Sequence, residues 1–187
     1  MDSQTKIKAI LFDFHGVLVF QRENYQSDRI VDAIDREIGA ITNDAAFKRD
    51  TLEKYGLDEK EFSEVLEKIV DKYEKFPAMW KLLPELRKKY KLAIINNGTF
   101  LTIPKFDARH SIYKNFDLFV SSAVEGFKKP DARIYRLAAQ RLGVAPEECL
   151  FMDDAKINID GAENIGIKSI WWENKEIGFK KFKDFLK

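Results

Sequence analysis

The sequence holds 187 residues, 45% hydrophobic and 34% charged, which excludes a disordered or fibrous chain and suits one domain, or one domain with an insertion. With 32 Lys and Arg against 31 Asp and Glu, the net charge of +1 gives no broad field toward nucleic acid or an acidic membrane surface. The lone cysteine, Cys149, excludes an intrachain disulfide, and no apolar run approaches the ~20 residues of a membrane span.

The chain starts polar, "MDSQTK", without a signal-peptide core, so a cytoplasmic protein is expected. The first β-rich run is "KAILFDF" (8–14), followed by a long stretch without strand signal. Within that stretch Ile30, Ile34 and Ile38 fall four apart, and Phe62, Val65, Leu66, Ile69, Val70 and Tyr73 follow helical spacing. Residues 20–77 are therefore expected to form a helical unit inserted after the first strand, far longer than an ordinary βα connection. Three more strands follow, "KLAIINN" (91–97), "FDLFVSSA" (116–123) and "CLFMDDA" (149–155), with a fifth at "KSIWW" (168–172). These apolar runs are continuous rather than alternating, as in strands covered on both faces. Between them, "DARIYRLAAQRLGV" places Ile134, Leu137, Ala138 and Leu142 on one helical face, with Gly143 to end the helix. This alternation predicts an α/β fold with a doubly wound parallel sheet, its core built from residues 1–19 and 78–187.

The unusual polar residues lie at the carboxyl ends of those strands, where open parallel sheets bind ligands. Asp13 and His15 end the first, Asn96 and Asn97 the second, and Asp153 and Asp154 the fourth, while Lys128 and Lys129 lie just past the third. Three carboxylates brought together repel one another and raise their own pKa values. A hard divalent cation relieves this, and carboxylates with water are the ligands Mg²⁺ prefers. A metal and a lysine around one free carboxylate suit a phosphate monoester, drawing the dianion toward an oxygen nucleophile. Taken singly, each of these aspartates reads equally as a helix N-cap.

Four segments together resemble the haloacid-dehalogenase superfamily, in its branch with a helical cap after the first motif. "LFDFHGVL" is similar to its Asp-x-Asp-Gly motif, "LAIINNGT" to its second, "GFKKPDARIY" to its Lys-Pro-Asp third, and "LFMDDAKINIDGA" to its acidic fourth. The resemblance implies a Rossmann-like core and a Mg²⁺-dependent hydrolase, a phosphatase of small phosphorylated metabolites acting through an aspartyl-phosphate. It makes Asp13 the nucleophile, with Mg²⁺ held by Asp13, the backbone carbonyl of His15, and Asp154 or Asp153. Lys129 would fix Asp13 and the phosphoryl oxygens; Asn96, Asn97 and Gly98 join it as substrate contacts, with bracing of loop backbone the alternative for Asn97. Gly16 lets the chain turn sharply out of the strand.

The sequence departs from the pattern at two positions. His15 stands where the family has the aspartate that serves as general acid and base, and Asn96 stands where it has Ser or Thr. A histidine's ordinary pKa, near 6.5, suits proton transfer, but a neighbouring metal and Lys129 disfavour its charged form. The departures leave two other readings: a feeble binding or regulatory protein on the same scaffold, and a metal-independent 2-haloacid dehalogenase, against which "MDD" argues. No nucleic-acid or membrane partner is expected, and the chain is read as a monomer or homodimer. Lys128 reads as a solvated charge, Cys149 as core, His110 as structural or incidental, and Trp171 and Trp172 as packing.

Overall fold

The computed structural model describes residues 6–187; the first five residues of the polar start lie outside them. Five parallel strands form the central sheet: β1 (Ala9–Phe12), β4 (Lys91–Asn96), β5 (Leu118–Ser121), β6 (Cys149–Asp153) and β7 (Lys168–Trp171), in the order β5-β4-β1-β6-β7. The chain leaves β1 toward β4 on one side and later crosses to β6 on the other, so the order reverses beside β1. That reversal opens the crevice in which doubly wound sheets bind ligands.

Continuous apolar strands become two cores through the alternation of side chains across a sheet. Ala9 and Leu11, with Ala93, Ile95, Cys149 and Phe151, pack under α8 (Ala132–Leu142) and α9 (Lys156–Glu163). Ile10 and Phe12, with Leu92, Ile94, Leu150 and Met152, face the other way, against α4 (Pro77–Arg87), α5 (Ile103–His110) and α10 (Lys175–Phe185). Each such apolar side chain contributes about 1.5–3 kcal/mol when fully buried. Helix α8 buries Ile134, Ala138 and Leu142 and ends at Gly143, whose φ of 65° is the left-handed cap that glycine permits. Cys149 lies in the core, burial pushing its thiol up to about 12. The basic C-terminal segment docks on the sheet through Phe182, which is fully buried.

Between β1 and α4 stand three helices, α1 (Arg29–Ile38), α2 (Asp44–Tyr55) and α3 (Glu59–Asp71). They share an apolar core of their own, built on Val31, Ile34, Ile38, Phe47, Phe62, Val65, Leu66 and Ile69. Local capping sets their starts. Asp28 accepts hydrogen bonds from the Ile30 and Val31 amides, and Asp58 and Glu61 form a reciprocal capping box. In α1 the buried stripe is Val31, Ile34 and Ile38, while Ile30 is 40% exposed. A 3–4 spacing tracks the 3.6-residue turn, whereas three residues each four apart drift off the face.

The stretch expected to lack strands contains two. β2 (Val19–Gln21) and β3 (Tyr73–Lys75) pair antiparallel, Val19 opposite Lys75 and Gln21 opposite Tyr73. They carry the two linkers between the sheet and the helical unit. Among the described residues no helix is long and apolar enough to cross a membrane. The remaining short helices, α6 (Ile112–Asn115) and α7 (Ser122–Glu125), flank β5.

Candidate active site

The edge of the sheet brings Asp13, Lys129, Asp153 and Asp154 together. Lys129 is 2% exposed, and its Nζ lies 2.7 Å from Asp13 Oδ1 and 2.7 Å from Asp153 Oδ2. The backbone amide of Phe14 also donates to Asp13 Oδ1, at 2.7 Å. Asp153 is fully buried and spends its other oxygen on the Ala155 amide at 2.8 Å and the Asn158 side chain at 3.0 Å. Asp154, next along, is exposed. Its backbone carbonyl accepts from Trp171 Nε1 at 3.0 Å, which fixes the loop and leaves the carboxylate free to face the cleft.

Asp13, Asp153 and Asp154 each offer an oxygen within 4.8 Å of the others. Their electrostatics show the strain of that grouping. Burial, then repulsion from Asp153, raises the Asp13 carboxyl to about 8 despite the pull of Lys129. Asp154 is raised by burial and by Asp153. Burial opposes the charge on Lys129, but Asp13 and Asp153 outweigh it and hold its pKa above the usual value. An all-oxygen set of closely grouped carboxylates fits Mg²⁺, whose charge would cancel that repulsion. Among the described residues no hydrogen bond ends on the backbone carbonyl of His15, so it too is available as a ligand. At Gly16, φ is +82° and a Cβ would lie 2.4 Å from Asp154 Oδ2. Only glycine permits this turn together with this approach.

A cavity of about 270 Å³ opens above the carboxylates, lined by Asp13, His15, Asn96, Asn97, Lys129 and Asp154 from the sheet edge. His15 sits among aromatic rings, 4.5 Å from Tyr73 and 5.0 Å from Phe14 between centroids, and its buried Nε2 has no hydrogen-bond partner. Burial above all lowers its pKa to about 4, so the ring is neutral near pH 7. Asn96 is buried and lines the cavity.

Two expected substrate contacts are otherwise occupied. The Asn97 amide group donates to the Lys129 carbonyl at 2.9 Å and accepts from the Lys129 backbone amide at 2.8 Å, so it braces the lysine loop. The Gly98 amide donates to Ser122 Oγ at 2.9 Å, and its carbonyl accepts from Ser121 Oγ at 2.7 Å. Gly98 thus ties two loops together instead of presenting its N–H to a ligand. Lys128, expected to be solvated, reaches across to the Ala40 carbonyl at 3.1 Å.

Sequence reasoning missed Asn158, Trp171, Asp35 and Tyr73. Asn158 carried a usable signal, a polar residue on the inward face of the helix after the acidic motif. Trp171 carried none. Asp35 and Tyr73 come from the helical unit and line the cavity from the side opposite the sheet. Asp35 Oδ2 accepts from Tyr73 Oη at 2.7 Å and from Lys72 Nζ at 2.8 Å, and Lys72 Nζ also donates to Asp32 at 2.8 Å.

A parallel sheet that reverses at β1, with acidic loops and a buried lysine at its edge, defines a doubly wound, Rossmann-like α/β core. Residues 7–166 match the haloacid dehalogenase-like hydrolase family, and the chain belongs to it. It is 28% identical over 189 residues to a phosphorylated carbohydrates phosphatase of Thermotoga maritima, covering 88% of this chain and 84% of that protein. It is 37% identical over 100 residues to a glyceraldehyde 3-phosphate phosphatase of Methanothermobacter thermautotrophicus, covering 51% of this chain and 43% of that one. The chain spans less than half the length of other curated relatives that it matches. In fold it is similar to a HAD family enzyme of Bacteroides thetaiotaomicron solved with magnesium and inorganic phosphate, at a TM-score of 0.68 and 21% identity, covering 88% of this chain and 93% of that one.

Proposed function

We propose that this protein is a Mg²⁺-dependent phosphatase of small phosphorylated metabolites, with Asp13 as the nucleophile. The observation that carries the reading is the buried Lys129 ammonium, held 2.7 Å from both Asp13 and Asp153 at the floor of the cavity. The phosphatase names of the Thermotoga and Methanothermobacter relatives support it. Asp13, Asp154 and the His15 carbonyl would hold Mg²⁺, with Asp153 behind them. When bound, the ion supplies the positive charge that lets carboxylates and a phosphate dianion share the site.

The free oxygen of Asp13 attacks phosphorus; the P–O bond to the alcohol breaks as the Asp13–phosphoryl bond forms, and water then hydrolyses the aspartyl-phosphate. Lys129 steadies Asp13 and faces the phosphoryl oxygens, and the Asn96 amide can donate to one of them. Neutral His15 holds no acidic proton to supply to a leaving group, which disfavours poor alkoxide leaving groups. Asp13→Asn should abolish Mg²⁺-dependent phosphate release from phosphate esters. Full activity in that variant would overturn the assignment.

A second reading, ligand binding without turnover, draws on one observation: the partnerless His15 Nε2 lies in an aromatic nest where the family keeps an acid. His15→Asp separates the two readings. Release from alkyl phosphates raised about tenfold or more fits an enzyme with a weakened acid, general acid–base help being worth roughly 10²–10⁴-fold. Phosphate binding without release in both proteins fits the binding reading.

A further inference from the structure

We infer that Asp35 selects the leaving group, so that the site takes monophosphates of small neutral or cationic alcohols, polyols and amino alcohols, and rejects esters that carry a carboxylate or a second phosphate. This rests on the phosphatase reading and adds the substrate class to it.

Asp35 lies on α1 and lines the cavity across from Asp13 and Lys129. Its side chain is 10% exposed. Both of its hydrogen bonds, from Lys72 Nζ and Tyr73 Oη, end on Oδ2; among the described residues Oδ1 has no partner. Two other aspartates, Asp32 and Asp153, spend both oxygens within the protein. Asp32 spends Oδ1 on Tyr25 and Lys72 and Oδ2 on Ser27. Asp153 likewise fills both oxygens. Asp35 alone of the three is clamped by one oxygen and keeps the other for a ligand.

The clamp also fixes the sign of the site. Lys72 is buried, its ammonium is taken by two aspartates, and it is absent from the cavity wall. A leaving group projecting from the phosphate therefore meets an anionic acceptor on the helical unit, whose paired cation, Lys72, is shared with Asp32 and lies off the cavity wall. Hydroxyl and ammonium groups satisfy that acceptor, while a carboxylate meets like charge in a confined space of low dielectric. Ile38 and Gly39 complete the wall, and about 270 Å³ leaves room for a leaving group of only a few heavy atoms.

The test measures kcat and KM of the full chain with Mg²⁺ on glycerol 3-phosphate, phosphoethanolamine and phosphoglycolate. The unmodified protein should prefer the first two over phosphoglycolate by about tenfold or more in kcat/KM, since polar groups left unpaired or opposed in a pocket discriminate at least that strongly. Asp35→Asn should bring the ratio near one, chiefly through KM. Asp32→Asn removes the same charge and a contact to the same lysine away from the cavity wall, and should leave the ratio in place. A preference for phosphoglycolate in the unmodified protein, or an unchanged ratio in Asp35→Asn, would overturn the inference. Should Asp35→Asn fail to fold, the preference of the unmodified protein decides. Should no ester release phosphate, the phosphatase reading fails, and Asp35 is judged by calorimetry. Tighter binding of glycerol 3-phosphate than of phosphoglycolate then supports the inference, and equal binding overturns it.

Discussion

Lys129 holds Asp13 and Asp153 in a single bonded chain, so residues remote in sequence act as one group. Which residue types gather at the sheet edge could be read from the sequence, because each ends an apolar strand or, like Lys129, lies in the loop that follows one. How each spends its hydrogen bonds could not. Asn97 was legible as either a ligand contact or a brace of loop backbone, and it braces the Lys129 backbone; Gly98 looked like a ligand contact, yet it is bonded to Ser121 and Ser122, partners that only the folded loops bring near. Asp153 and Asp154 are neighbours of one type, and burial separates them: the first is fully buried and saturated, the second open to the cleft. Gly16 is the residue whose change should be felt most cleanly. A Cβ there would sit 2.4 Å from Asp154 Oδ2 at a φ of +82°. Gly16→Ala should displace Asp154 and weaken Mg²⁺ affinity about tenfold or more, on top of roughly 1–2 kcal/mol of backbone strain. Calorimetric titration with Mg²⁺ measures the first effect and thermal melting the second; unchanged affinity would show that Asp154 is not a ligand.

At the scale of elements, the helical unit is fastened to the sheet domain near the α1–α2 turn. Asp44, the first residue of α2, accepts from the Thr99 hydroxyl and from the Phe100 amide at 3.0 Å, while Ser122 Oγ donates to the Ile41 carbonyl at 2.8 Å. On the far side Arg109 of α5 pairs with Glu67 at 2.8 Å and Asp71 at 2.9 Å, exposed contacts worth little. The Asp44 contacts place the wall that carries Asp35 over the cavity. Asp44→Ala should raise KM about tenfold or more with kcat nearly kept, since a charge-assisted hydrogen bond contributes roughly 1.5–3 kcal/mol. Steady-state kinetics on any hydrolysed ester checks this, and an unchanged KM would mean the fastening does not govern access. Two helices of this unit, α1 and α3, were visible in the sequence through their apolar period; α2, which buries only Phe47 and Thr51, carried no such period. The strands β2 and β3 were not visible: each is three residues long, too short for an apolar run or an alternation to mark it.

Across the whole molecule, acidic repulsion at the sheet edge couples stability to pH and to metal. Burial and Asp153 raise Asp13 from 3.8 to about 8, so between those values the folded chain binds more protons than the unfolded one. Stability without Mg²⁺ therefore falls as pH rises through that window. With Mg²⁺ on the ionised carboxylates, as proposed, the melting temperature it adds should be greater at pH 8 than at pH 5. Melts in chelator and in excess Mg²⁺ at both pH values measure this, and Asp13→Asn should flatten the difference. Equal gains at the two pH values would place the raised carboxyl elsewhere. One further property follows from the short ladder in which Val19 faces Lys75 and Gln21 faces Tyr73. Two independent tethers would let the three helices wander, but tethers bonded rung to rung bend as a single strap. The entry and exit of the helical unit are thus one strap, and Tyr73, on its last rung, ties that strap directly to Asp35 in the cavity wall.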